Sequence, residues 1–257
     1  MPKEPVKARP KFPPVKTYVC RCTEIVELAH DIKQFRLEFK KPETIDYVPG
    51  QYIQLLTPIY EKSNEEVYRT FSISSDPADK SVIELIIKRI PGGICTTYCF
   101  EYLKVGDEVK IKGPYGKLRL SDTNAPVVFI AGGSGMAPIK CMLHYMKNTG
   151  NNRKATYYFG GNTVEELFYV ELMREFESSI TDFRFVPTVA KPGQGESWDG
   201  KVGFVTEAVK DDLKNAPECE AYLCGGPGMI DAVIKVLKEM GIGEERIFYD
   251  KFEKSSI

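Results

Sequence analysis

The chain lacks a charge excess of either sign: 35 lysines and arginines against 36 aspartates and glutamates leave a formal net charge of −1 over 257 residues. No basic run offers an electrostatic footprint for a phosphate backbone, so nucleic acid is not the expected partner. Long apolar runs are missing too, and stretches such as 83–87, broken by Glu84, fall far short of the ~20 residues that span a membrane. Histidine is scarce. His30 and His144 are the only two, and neither has neighbours that suggest acid–base work, so structural or exposed roles are expected. The seven cysteines, Cys20, Cys22, Cys95, Cys99, Cys141, Cys219 and Cys224, make an odd and scattered set. Cys20 and Cys22 share a strand face and Cys95 and Cys99 a helix face, but no partner pair stands at zinc or iron–sulfur spacing. No protein-bound metal is expected, a cluster assembled from distant cysteines being the alternative, and the thiols suit a reducing compartment. The start is basic and proline-rich without the apolar core of a signal peptide. It reads as a mobile arm over 1–15 of a cytoplasmic protein, or as a segment that docks on a partner.

What is present divides in two. From residue 16 to 123 the pattern is short, alternating and β-rich, with strands expected over 17–22, 32–39, 51–56, 68–74, 82–89 and 108–112, and one helix from Cys95 or Thr96 to Leu103. Strands at that spacing predict an antiparallel β-barrel. From 124 to 257 strands alternate with helices: 127–131, 155–159, 183–189, 220–223 and 246–250, with helices over 138–147, 164–177, 205–213 and 228–240. This is the repeat of an α/β domain with an open parallel sheet, whose ligands sit at the carboxyl ends of its strands. No internal repeat or low-complexity segment is evident.

The second half carries the clearest motif. Val127-Val128-Phe129-Ile130-Ala131 runs into Gly132-Gly133-Ser134-Gly135-Met136-Ala137-Pro138, a buried strand, a glycine turn and a helix start, where a pyrophosphate can meet backbone N–H groups. Such turns also occur where nothing binds. A second one, Cys224-Gly225-Gly226-Pro227-Gly228-Met229, strengthens the reading, because two strand ends can flank one ligand. In the first half, Tyr68-Arg69-Thr70-Phe71-Ser72 places Arg69 and Phe71 on one strand face and Thr70 and Ser72 on the other. An arginine two residues from an aromatic ring can hold a phosphate beside a stacked flat ring; a surface arginine next to a core phenylalanine fits equally. Pro91-Gly92-Gly93-Ile94-Cys95-Thr96-Thr97 adds a third glycine turn entering a helix, with Thr96 or Thr97 supplying a hydroxyl.

With Gly113-Pro114-Tyr115-Gly116 between them, these motifs stand in an order that resembles the ferredoxin–NADP reductase superfamily over nearly all of 16–252. The nearest likeness is to the FAD and NADH modules of sodium-pumping NADH:quinone reductases and of oxygenase reductases, without the ferredoxin domain that usually accompanies them. The resemblance implies a flavin-binding barrel followed by a nicotinamide-nucleotide domain. It implies FAD held by Arg69 and Thr70, with Phe71 against the isoalloxazine or ribityl chain, Ser72 near the flavin N5, and Gly92, Gly93, Ile94, Cys95 and Thr96 cradling the pyrophosphate. Family members more often have tyrosine where Phe71 stands, a loss of one hydrogen bond worth about 1 kcal/mol. Gly132, Gly133, Gly135 and Pro138, with Gly225, Gly226 and Met229, would shape the nucleotide site. Cys224 would lie beside the nicotinamide, or would only pack. Phe252 would cover the flavin until the nicotinamide displaces it, or would only anchor the C-terminus.

The function so implied is an NAD(P)H-dependent flavoprotein reductase that passes electrons to a ferredoxin or other iron–sulfur or redox protein. The alternatives are an electron-transfer subunit active only within a larger complex, and a reductase of a small acceptor such as quinone or free flavin. NADH is expected over NADPH, because the segment after 155–159 offers Glu165 and Glu166 and no cation for a 2′-phosphate. Those glutamates also suit a simple helix start.

Overall fold

Alternating apolar and polar side chains build the first half from antiparallel strands. In the computed structural model, which describes residues 12–193 and 197–252, Lys16–Ala29 (β1) turns tightly into Ile32–Lys41 (β2), followed by Tyr52–Thr57 (β3), Val67–Ser72 (β4) and Val82–Lys88 (β5). A helix, Ile94–Glu101 (α1), separates β5 from Glu108–Tyr115 (β6). The strands form a six-stranded sheet in the order β4-β3-β6-β1-β2-β5. Its two edges meet just beyond β4, where Ile73 bridges Leu85 and both the N–H and the hydroxyl of Ser74 donate to the Glu84 carbonyl at 2.9 Å. The expected barrel therefore closes at this one place around Phe35, Leu37, Ile53, Leu55, Ile83 and Ile111, each contributing about 1.5–3 kcal/mol on burial. The arm expected over 1–15 lies outside the described residues as far as residue 11, as does the tail 253–257.

The second half alternates strands with helices: Val127–Gly132 (β7), Met136–Thr149 (α2), Ala155–Gly161 (β8), Val170–Ser179 (α3), Phe183–Val189 (β9), Lys201–Val202 (β10), Val205–Asp212 (α4), Glu220–Gly225 (β11), Pro227–Glu239 (α5) and Ile247–Lys251 (β12). All pairings are parallel, in the order β10-β9-β8-β7-β11-β12. Helices cover both faces, so residues 127–131 of β7 are all buried, as a run of five apolar residues predicts. The chain steps outward from β7 to β10 and then crosses to β11 on the other side. The switch point, and with it the ligand crevice, lies between the carboxyl ends of β7 and β11.

Three elements differ from the sequence expectation, the first being the strand expected over 17–22, which runs on to Ala29 because its second half pairs with β2. The helix expected over 164–177 is broken: Val164–Glu166 forms one 3-10 turn, Tyr169 takes a left-handed φ of 55°, and α3 starts at Val170. The Glu166 carboxylate accepts from the Asn162 N–H at 2.8 Å, Phe168 enters the sheet core and the Tyr169 hydroxyl donates to Gln34 of the barrel at 2.6 Å. These long-range contacts override the helical period. The short β10 escapes sequence reading because two residues carry no periodicity.

One apolar core runs from the nucleotide domain into the barrel, taking in Ile32, Ile86 and Leu120 beside Phe129, Met136 and Met142. The connection from β6 to β7 is held by a buried ion pair, Arg153 to Glu220 at 2.7 Å, with side-chain exposures of only 4% and 7%. Arg153 also donates to the carbonyls of Ala125 at 2.6 Å and Ser121 at 3.2 Å, and Ser121, Thr123 and Tyr222 donate hydroxyl hydrogens to Glu220. Burial would raise the Glu220 carboxyl, but the bonds from Ser121, Arg153 and Thr123 outweigh it and hold it below the ordinary range. Arg153→Met strands this carboxylate and is expected to lower stability by about 3–5 kcal/mol, measured as a lower denaturant midpoint. Because the folded value is depressed, the wild-type contribution is complete above the ordinary glutamate pKa of about 4.3 and is lost as pH falls through the folded value.

Candidate active site

On the barrel side, β4 is an edge strand that α1 packs against. Arg69 donates from Nη1 to the Tyr68 carbonyl at 2.9 Å and has no carboxylate partner among the described residues. Phe71 is half-buried, one side resting on the barrel core. Ser72 is buried opposite Tyr52, its hydroxyl making no hydrogen bond among the described residues, and Thr70 is exposed. The turn at Gly92 and Gly93 delivers the chain into α1, with Gly92 at a φ of +73° that favours glycine and open space where a Cβ would stand. Ile94 and Cys95 begin the helix. The neighbouring Cys99 thiol and the Arg69 cation hold Cys95 below the usual thiol range against the effect of burial. The Thr96 hydroxyl accepts from the Ile90 N–H at 3.1 Å and so braces the turn from within.

On the nucleotide side, Gly132 ends β7, Gly133–Gly135 forms a 3-10 turn and Met136 starts α2, with Pro138 buried in its first turn. Gly135 approaches β11 so closely that a Cβ there would lie 2.1 Å from the Cys224 carbonyl oxygen. Met229 fills the groove between the two turns; its sulfur would be 2.9 Å from a Cβ at Gly132 and its methyl 2.8 Å from one at Gly225. Gly226 and Gly228 face open space. Cys224 is fully buried, and burial pushes its thiol well above the usual range, so it keeps its proton. Asp250, its register partner on β12, is likewise raised by burial. The Phe252 N–H donates to the Gly225 carbonyl at 3.0 Å, which fixes the residue beside the second glycine turn.

The helix ends separate sharply by charge. The N-termini of α1, α2 and α5 have no side-chain cap and no acidic residue in the first turn. Those of α3 and α4 carry Glu171 and Glu207, the latter accepting from the Phe204 N–H at 2.7 Å. A positive dipole end free of acidic side chains thus stands at all three glycine turns, which is where a diphosphate is stabilised, although the Met136 N–H at the start of α2 is taken by the Gly133 and Ser134 carbonyls. Together with Arg69, free of any carboxylate among the described residues, and the room at Gly92, Gly226 and Gly228, the residues fit a flavin dinucleotide on the barrel and a nicotinamide dinucleotide at the switch point.

Sequence reasoning missed Lys191. It follows β9, far from Glu166 in the chain, yet its N–H donates to the Asn162 carbonyl at 3.0 Å, on the turn whose N–H and side chain bond Glu166. The backbone of a lysine is therefore tied to the turn that holds the carboxylates used to argue for NADH, and only the β8–β9 pairing reveals it.

Two protein-family models match the chain: an oxidoreductase FAD-binding domain over residues 19–120 and an oxidoreductase NAD-binding domain over 129–235. The reductase component of a propane 2-monooxygenase from Mycolicibacterium goodii is 37% identical over 227 residues, covering 86% of this chain and 64% of that protein. A component of the Na(+)-translocating NADH-quinone reductase from Neisseria gonorrhoeae is 32% identical, covering 93% of this chain and 68% of that one. The crystal structure of the Amycolatopsis cytochrome P450 reductase GcoB superposes with a TM-score of 0.86 at 27% identity, over 96% of this chain and 73% of that one. The chain thus spans 64% of the length of three propane 2-monooxygenase reductase components that it matches.

Because the atom facing Gly135 is backbone, the turn cannot yield to a methyl group. Gly135→Ala is expected to force β7 and β11 apart and to weaken dinucleotide binding by about tenfold or more, on the scale of a 1 Å misplacement. Titration calorimetry with NAD+ checks this, and an unchanged Kd would show that the turn is not part of the site.

Proposed function

The chain belongs to the ferredoxin–NADP reductase superfamily of FAD- and NAD-binding oxidoreductases, and we propose that it is a flavoprotein reductase that takes reducing equivalents from NADH and passes electrons to an iron–sulfur or other redox protein. The observation that carries this reading is the set of three uncapped, acid-free helix N-termini at the glycine turns, one on the barrel and two at the switch point. Bound FAD would supply the redox chemistry, accepting two electrons with a hydride and releasing them singly. The protein's own work is positioning and electrostatics.

In this reading Arg69 and the backbone N–H groups at Ile94 and Cys95 neutralise the flavin diphosphate, Phe71 offers its free face to the flexible or ring portion of the cofactor, and the Ser72 hydroxyl is free to bond near N5. The Gly133–Gly135 turn and the N–H groups of Gly228 and Met229 in the first turn of α5 take the nicotinamide dinucleotide's diphosphate between them. Cys224, protonated and without exposed surface, meets the nicotinamide only once the groups covering it part, and then as a small polarizable neighbour and not as a nucleophile. Phe252, tethered to Gly225, covers the flavin face and moves aside for the nicotinamide, keeping water out meanwhile. NADH is the proposed donor, on the ground that Glu166 is fixed at the turn after β8 by the Asn162 bonds at 2.8 and 2.9 Å.

Anaerobic titration followed by visible absorbance tests the function: one equivalent of NADH should bleach the bound flavin, and a protein that stays oxidised refutes a reductase. Cys224→Ala is expected to slow reduction at saturating NADH by about tenfold, a larger effect than on Kd. An unchanged rate would remove Cys224 from the site. Phe252→Ala should tighten nicotinamide binding or change the charge-transfer absorbance, and constancy of both would make the ring an anchor.

A further inference from the structure

Both halves of the protein converge on one side chain that the cofactor motifs leave unused. Lys140 lies on the first turns of α2, four residues beyond Met136, or about 6 Å along the axis at 1.5 Å per residue. Its side chain is only 5% exposed and leaves its own domain: Nζ is 2.7 Å from Glu84 Oε2 on β5 and 3.2 Å from Gln34 Oε1 on β2. The same ammonium sits 4.8 Å from the centre of the Tyr169 ring, whose hydroxyl donates to Gln34 at 2.6 Å. Glu84 is held in turn by Arg36, 3.0 Å from its other oxygen. On the next turns of α2, His144 approaches Asp76 of the barrel at 3.6 Å and Asn148 donates to Asp76 at 2.6 Å. A cleft of about 300 Å³ opens among these groups.

Glu84 has a second attachment. Its carbonyl receives the Ser74 N–H and hydroxyl, two residues beyond Ser72 at the end of β4. Its backbone therefore fixes the strand that carries Arg69, Phe71 and Ser72, while its carboxylate fixes the helix that opens on the Gly133–Gly135 turn. We propose that the Glu84–Lys140 pair, supported by Gln34 and Tyr169, is the register pin between the two domains, and that Lys140 and Glu84 are positioning residues for hydride transfer. The inference rests on the reductase reading above.

The alternative is that the pair only adds stability. Buried ion pairs are poor at this, since desolvation offsets the attraction and apolar replacements of similar size are often neutral or stabilising. The apolar contacts of Ile32, Ile86 and Leu120 already join the domains, but such contacts are non-directional and allow sliding. A hydrogen-bonded charge pair fixes direction as well as distance, and the hydride-donating carbon must be held in line with the accepting flavin nitrogen for transfer to proceed.

The test compares the FAD-loaded wild type with the double variant Glu84→Gln, Lys140→Met, which removes the two paired charges together, while the partly exposed Arg36 keeps Asp79 at 3.7 Å. The expected result is an unchanged flavin content and denaturant midpoint, a Kd for NADH within about threefold of wild type, a flavin reduction rate at saturating NADH lower by about tenfold or more, and a weaker charge-transfer band with NAD+. A double variant reduced as fast as wild type, with the same band, overturns the pin and leaves the reductase intact. A wild type that NADH fails to reduce overturns the reductase and the pin with it. If the double variant loses FAD, Lys140→Met alone breaks the pair while Arg36 still holds Glu84 at 3.0 Å, and a rate and band equal to wild type would then overturn the proposal.

Discussion

The approach of Gly135 to the Cys224 carbonyl is the constraint on which the nucleotide half depends. With 2.1 Å available to a Cβ, only hydrogen fits there, and the fit brings the ends of β7 and β11 together as the two lips of one crevice. It also sets the direction of α2, because that helix starts at the next residue. Everything α2 carries toward the barrel, Lys140 first and then His144 and Asn148, inherits its place from this contact. The backbone geometry of one glycine thus reaches the interface between domains.

Charge is distributed to the same end. Acidic side chains are common in this chain, yet none stands in the first turn of α1, α2 or α5, whereas α3 and α4 place glutamates where the helix dipole favours them. Local helix stability alone would favour acids or capping side chains at all five N-termini. Their absence leaves the N–H groups that open α1 and α5 without side-chain acceptors, a deficit of the kind a bound phosphate would offset. The two buried ion pairs serve another purpose. Arg153 with Glu220 ties down the connection between the halves, and Lys140 with Glu84 spans their interface.

The division into a barrel and a parallel α/β sheet was legible because the period of apolar residues changes near residue 124, and glycine turns announce themselves wherever a strand ends in them. Helix 164–177 was misread for a physical reason: its apolar spacing is helical, but Phe168 and Tyr169 are claimed by the sheet core and by Gln34, and the chain breaks at Tyr169 to serve both. The two-residue β10 leaves no pattern to read. Lys191 and Glu166 belong to separate βα units, so nothing local links them. Lys140 carries no local signal within the helix expected over 138–147, and the opposing Glu84 reads only as a break in the apolar stretch 83–87.

The sequence by itself determined the local chemistry: which strands end in glycine turns, which helices begin without acids, and which strand carries arginine beside an aromatic ring. These follow from backbone freedom, dipoles and side-chain period within a few residues of one another. Only the tertiary structure decided where the barrel closes, which two glycine turns share a crevice, and that a lysine of one domain is buried against a glutamate of the other. Those outcomes depend on contacts between separate elements, 56 positions apart in the case of Lys140 with Glu84, and the burial that gives such a pair its directional force exists only once both domains have folded against each other.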